Sequence, residues 1–248
     1  MASKCILVEV ELNDYIIFTL PINLAELFAA LAGAIYLKKI QTKNKSTRYF
    51  VWFLWFTVVL ETIGAYAPIA YFEGYDYFYF LKDSVFQDNN WVYNCYSLVS
   101  ASFYTYYFGS YIQSKIWKLI LKFLLITFIV SSVLNLTFSD VFFEEDSKYV
   151  NLGGTFLIFF AVSLFYFELL KSDLLLNLKR FLPLYVSIGV MIFYLCVTPL
   201  LSIFSDYFNS DNNMFVKLQV HLILFSNIFM YSFFILGFYI CSRKKKSY

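Results

Sequence analysis

Charge is scarce in this sequence: of 248 residues 15% are charged, against 60% hydrophobic and 23% aromatic. That balance excludes an ordinary soluble domain of this length. Histidine is scarcer still. There is one, His221, so the several His or carboxylate ligands that an intramembrane zinc hydrolase converges on one ion are missing. The four cysteines, Cys5, Cys95, Cys196 and Cys241, show no CxxC spacing, which argues against a cysteine metal site or a disulfide framework. No GxSG occurs to carry the serine of a membrane Ser-His protease. The last apolar segment has no lysine near its middle for a retinal Schiff base, Lys217 standing at its outer edge. The sequence therefore predicts no enzyme, no cofactor and no metal.

What is present is hydrocarbon in long runs. A bilayer-spanning helix needs roughly 20 apolar residues, and seven segments of that kind run over 16–37, 49–72, 91–112, 116–138, 149–170, 181–204 and 215–241. Without water in the hydrocarbon each must satisfy its own backbone groups, so each is predicted helical. The fold class expected is an all-α polytopic membrane protein, a seven-transmembrane-helix bundle in a single domain over 1–248. The opening "MASKCILVEVELNDY" has acids where a cleavable signal has its apolar core, so the first helix is expected to direct its own insertion.

Charge is distributed by side. The connections holding Lys38, Lys39, Lys43, Lys45 and Arg48, then Lys115, Lys118 and Lys122, then Lys171, Lys179 and Arg180, then Arg243 to Lys246 contain 15 of the 19 basic residues. The other set holds Glu9, Glu11, Asp14, Glu73, Asp76, Asp83, Asp88, Asp140, Glu144, Glu145, Asp146, Asp206 and Asp211, 13 of the 17 acids. The positive-inside rule puts the basic set in the cytoplasm, the N-terminus outside and the C-terminus inside. The net charge of +2 thus hides two faces of opposite sign. The basic one reads as lipid-facing, with no role for nucleic acid.

The runs "GAIYLKKI", "YFVWFLWFTVVLETIG" and "NNWVYNCYSLVSASFYTYYF" resemble a family of short seven-helix integral membrane proteins of Bacteroidota to which no function is assigned. The resemblance covers the first three helices. It implies a bacterial inner (cytoplasmic) membrane and carries no activity with it.

Within the hydrocarbon stand two acids. Glu61, in "VVLETIGAYAPIAYF", lies about eleven residues into the second segment, roughly 16 Å of rise at 1.5 Å per residue. Glu26 lies at about the same depth on the first, antiparallel segment. A charged group at a helix centre costs on the order of 2.5 to 3.5 kcal/mol on insertion scales, so both are expected to face the bundle interior or a wet cavity. If they approach, they titrate as a pair. Asn23, Ala29, Ala30 and Gly33 share a helical face with Glu26, and Thr57, Gly64 and Pro68 share one with Glu61. Pro68 is expected to free the carbonyl near Gly64 for another partner.

Further polar candidates are Asn94 and Tyr104 on the third segment, and His221 and Asn227 on the seventh. Trp91 and Tyr93 fit an outer aromatic belt. Asn135 fits an interhelical hydrogen bond, and Glu168 is placed to pair with Lys171. For Glu26 and Glu61 two readings stand: structural groups bonded to neighbouring helices, or a ligand-binding or proton site together with Asn23, Asn94, Tyr104, His221 and Asn227.

A shift of 128 residues lays "NLAELF" on "NLGGTF" and "GSYI" on "GFYI". The implied 3+1+3 layout resembles the SWEET sugar transporters, although their proline tetrad is not evident. Two functions follow as expectations. One is a heptahelical receptor or sensor that takes a small-molecule ligand and signals through a cytoplasmic partner on the basic inner face. The other is a small-solute or proton-coupled transporter.

Overall fold

The computed structural model describes residues 12–41, 44–172, 178–203 and 213–243. Among these the regular structure is helical: α1 (Leu12–Ile40), α2 (Lys45–Gly64), α3 (Tyr66–Phe72), α4 (Asn90–Gly109), α5 (Lys115–Phe138), α6 (Val141–Glu144), α7 (Lys148–Leu170), α8 (Leu182–Thr198) and α9 (Asn213–Cys241), with a 3-10 turn at Tyr79–Leu81 and a π turn at Pro199–Ile203. Cys5, Glu9, Glu11, Lys43, Asp206, Asp211 and Lys244 to Lys246 lie outside the described residues.

Among the described residues six helices are long and apolar enough to cross a membrane: Tyr15–Ile40, Lys45–Phe72, Lys115–Phe138, Lys148–Leu170, Leu182–Ile203 and Lys217–Cys241. The protein is an all-α, multi-pass membrane protein. The third predicted segment is a helix, α4, but its asparagines, serines and tyrosines leave it short of that apolarity. Its position explains why this is tolerated. α4 packs on α2, α5, α6 and α7 and buries Val92, Asn94, Ser100, Tyr104 and Phe108, so protein rather than lipid meets most of its surface.

The chain closes a ring. α1 packs on α2 and α9, α9 on α8, α8 on α7, α7 on α4, and α4 on α2, while α5 lies outside against α4 and α7. Ile116, Leu119, Phe123 and Phe138 of α5 are exposed, as suits a lipid-facing surface. Lipid tails are as apolar as leucine, so burial of hydrocarbon does not drive such helices together, and close backbone approach must. A Cβ on Gly154 of α7 would stand 2.7 Å from Cβ of Ala101 on α4. On α8, a Cβ on Gly189 would meet the Met230 carbonyl of α9 at 3.1 Å.

Pro68 acts as predicted. With no N–H at Pro68 the Gly64 carbonyl has no i+4 donor, the helix divides at Ala65, and Asn89 Nδ2 donates to that carbonyl at 2.8 Å. Near the lysine-bearing ends of the helices the interior is filled by aromatic rings. Phe50 lies edge-on to Phe234 at 5.1 Å between centroids and tilted against Tyr107 at 5.3 Å, and Phe53 stacks on Phe103 at 4.2 Å. Phe50, Tyr107, Phe234 and Phe238 are all inaccessible.

Candidate functional site

The 3.6-residue period of α1 puts Glu26, Ala29, Ala30 and Gly33 on its buried side, Glu26 being only 3% exposed. Across from it α2 carries Glu61, one turn before the break at Ala65. Both carboxyls line one cavity of about 90 Å³, bounded by Tyr15, Thr19, Asn23 and Glu26 of α1, Glu61 of α2, Tyr93 and Tyr96 of α4, Phe193 of α8, and Leu224, Asn227, Met230 and Tyr231 of α9. That volume holds several waters. The cavity occupies the half of the bundle opposite Lys38, Lys39, Lys45 and Arg243, and among the described residues no Lys, Arg or His lines it.

Tyrosines serve the two acids. Tyr93 Oη donates to Glu61 Oε2 at 2.9 Å, and Tyr231 shares the cavity wall with Glu26. Gly64 leaves room for the first bond: a Cβ there would stand 3.1 Å from Tyr93 Oη, so the phenol would have to give by a few tenths of an ångström. Asn227 Nδ2 donates at 2.8 Å to the Ile223 carbonyl of its own helix, which holds the amide at the wall. Asn23 is exposed at the rim.

Three predicted site residues lie elsewhere. Asn94, 1% exposed, is turned toward the α6 connection: its Nδ2 donates to the carbonyls of Val141 (3.2 Å), Phe142 (3.1 Å) and Glu145 (2.9 Å), and its Oδ1 accepts from Ser147 N–H at 2.8 Å. Those bonds use its donors on backbone. His221 is exposed, its Nδ1 2.6 Å from the Lys217 carbonyl and its ring edge-on to Phe18 at 5.5 Å, outside the cavity. Tyr104 lines a second, smaller cavity of about 30 Å³ with Ser97, Ser100, Asn151, Tyr194 and Thr198. There Ser100 and Tyr194 hydroxyls are 3.2 Å apart. Tyr96, Phe193 and Met230 belong to the walls of both cavities.

Other expectations are corrected. Tyr93 is buried beside Glu61 rather than part of a belt, while Trp91 Nε1 donates to Tyr66 Oη at 2.9 Å. Glu168 accepts from Ser114 N–H at 3.1 Å, and Lys171 Nζ sits 3.8 Å over the Phe167 ring. Asn135 does bridge helices, accepting from Ser147 Oγ at 3.0 Å. Outside the membrane segments, burial raises the Asp146 carboxyl above its ordinary range.

The sequence sets Tyr96 on one face of the third helix with Tyr93, but does not mark Tyr15 or Tyr231, although a signal exists for them. Tyr231 is one turn beyond Asn227, Tyr96 is one turn beyond Tyr93, and Tyr15 is three turns before Glu26. In so aromatic a chain that signal is shared by many rings that only pack. No protein-family model, no curated protein and no solved structure matches this chain.

Proposed function

We propose that this chain is a seven-helix receptor- or sensor-like protein of a bacterial inner membrane, with its N-terminus outside and its C-terminus in the cytoplasm. On this reading α4 is the seventh span, shielded from lipid by its neighbours. The Glu26–Glu61 cavity takes a small ligand or a proton from the outer side, and helix movement is read by a cytoplasmic partner on the basic face. The observation that carries the reading is the contrast between the two halves of the bundle. A cavity with two carboxyls occupies one half, and fully buried rings of Phe50, Tyr107, Phe234 and Phe238 fill the other. Such an arrangement receives a ligand without offering it a through-path. A signal then has to travel as a shift of α2 or α9 against that aromatic packing.

The test uses spin labels at Lys45→Cys and Ser242→Cys in a background without native cysteines, in nanodiscs. A change in the inter-label distance on moving from pH 8 to pH 5, absent in Glu61→Gln, together with no solute flux in proteoliposomes, is the expected result. A fixed distance at every pH and ligand condition, or solute flux, would overturn it.

A transporter is the second reading, favoured by one observation. Asn23 lines the larger cavity and Asn151, its partner under the 128-residue shift, lines the smaller one, with Tyr96, Phe193 and Met230 between them. Flux of a solute that depends on Glu61 would select this reading.

A further inference from the structure

We infer that the cavity between Glu26 and Glu61 binds a small organic ammonium ion. This rests on reading the cavity as a ligand site, but not on the choice between receptor and transporter.

Two carboxyls on separate helices face one cavity, and among the described residues none of the five helices that build its wall contributes a basic side chain to it. An anion entering that space meets like charge, with no basic side chain among the described lining residues to offset it. A neutral solute leaves the carboxyls without a counter-charge in a low-dielectric surround. For a divalent metal ion the two carboxyls are a sparse set, since no group of three or more His, Cys, Asp or Glu side chains is assembled among the described residues. An ammonium ion has what the site asks for: a positive charge, and either N–H donors or polarised methyl groups.

The remaining wall suits the same guest. Tyr15, Phe18, Tyr93, Tyr96, Phe193 and Tyr231 supply aromatic rings around the two acids, and aromatic faces attract cations, most strongly when the cation is desolvated. A tyrosine hydroxyl also prepares one of the acids. Tyr93 holds Glu61 by Oε2, which fixes the carboxyl and leaves Oε1 for a ligand. Because the acids sit on α1 and α2 and four of the six rings on α4, α8 and α9, one bound cation touches both sides of the ring of helices.

Purified full-length protein in nanodiscs is titrated with choline and with its uncharged isostere 3,3-dimethylbutan-1-ol, and likewise with propylammonium and 1-butanol, with butyrate as the anionic control. The expected result is that at least one ammonium ion binds and raises Tm, at least tenfold more tightly than its neutral counterpart, and that butyrate has no effect. Glu26→Gln and Glu61→Gln should each weaken that binding at least tenfold, while Val133→Ala on the lipid face of α5 leaves it unchanged. If a glutamine variant does not fold, Phe193→Leu removes a ring and no charge, and choline affinity should fall at least threefold. Equal binding of the neutral isosteres, no binding of either ammonium ion up to about 10 mM, or full binding in the folded variants overturns the inference. If no ammonium ion binds but the inner helix ends still move with pH, the ligand class falls and the receptor reading stands. If ammonium binds and is carried across the membrane, the reverse holds.

Discussion

Asn94→Ala separates a structural role from a ligand-binding one. The Asn94 side chain makes four contacts with backbone atoms of the segment between α5 and α7, at 2.8 to 3.2 Å, from a position 1% exposed. Its two N–H donors reach three carbonyls, so one is shared and the set counts as about three full bonds. At about 0.6 kcal/mol per bond, the average for membrane bundles, the loss is roughly 2 kcal/mol. At about 1 kcal/mol each, plus the cost of leaving the buried Ser147 N–H unpaired, it approaches 4 kcal/mol. For a chain of this size that is a fall in Tm of roughly 4 to 16 °C. Asn94→Asp should be no better, since it keeps the acceptor for Ser147 but turns a charge toward three carbonyls. The assay is thermal unfolding of the purified protein in one detergent, with ligand or pH response measured below the transition. That response should be unaltered in any Asn94→Ala protein that folds, because the residue lies outside the cavity. A Tm within about 2 °C of the parent in both variants, or a specific loss of response at unchanged Tm, would refute this account.

Glu61→Gln keeps a hydrogen-bond acceptor for Tyr93 and should cost no more than about 1 to 2 kcal/mol of stability while abolishing the ligand or proton response. Glu26→Gln should shift the pH profile, because the two acids share a cavity; an unchanged response and profile in both variants would reduce them to packing groups. Gly154→Ala places a methyl 2.7 Å from Cβ of Ala101 and 3.3 Å from Cζ of Phe128. It should cost about 1 to 3 kcal/mol, whereas Gly74→Ala, at φ +64° with nothing within 4 Å, should cost only about 1 kcal/mol; calorimetry ranks them.

Burial raises native Asp146 above its ordinary value, so between the two values the native state keeps a proton that the unfolded chain has released. Stability from this group is full below the ordinary carboxylate range and falls as pH rises through the raised value. Asp146→Asn should accordingly raise Tm at pH 8 and not at pH 3. For topology, a reporter fused after Tyr248 should be cytoplasmic, and cysteines near Asp83 and Asp211 should react with an impermeant reagent from outside. Labelling from the inner side alone would remove the proposed orientation.

The amino-acid sequence determined the long helices of this protein to within about four residues at most ends, because in hydrocarbon each segment has to satisfy its own backbone bonds, so an apolar run sets roughly where a helix lies. It also determined the inward face of α1 around Glu26 and the partner-seeking carbonyl that Pro68 leaves at Gly64, since both follow from local geometry along one chain. What it could not determine is which polar side chain meets which across the bundle. Asn94, Glu26 and Glu61 are alike as polar groups in a membrane helix, and only the docking of the α6 connection on α4 turns Asn94 toward backbone carbonyls. Likewise Tyr93 and Trp91 are equally fit for an interface belt by position. The approach of α4 to α2 past Gly64, where no Cβ intervenes, is what brings the Tyr93 hydroxyl to Glu61. A helix's period is written in its own residues, but the rotation at which two helices meet depends on every other contact in the ring, and so the cavity exists only in the tertiary structure.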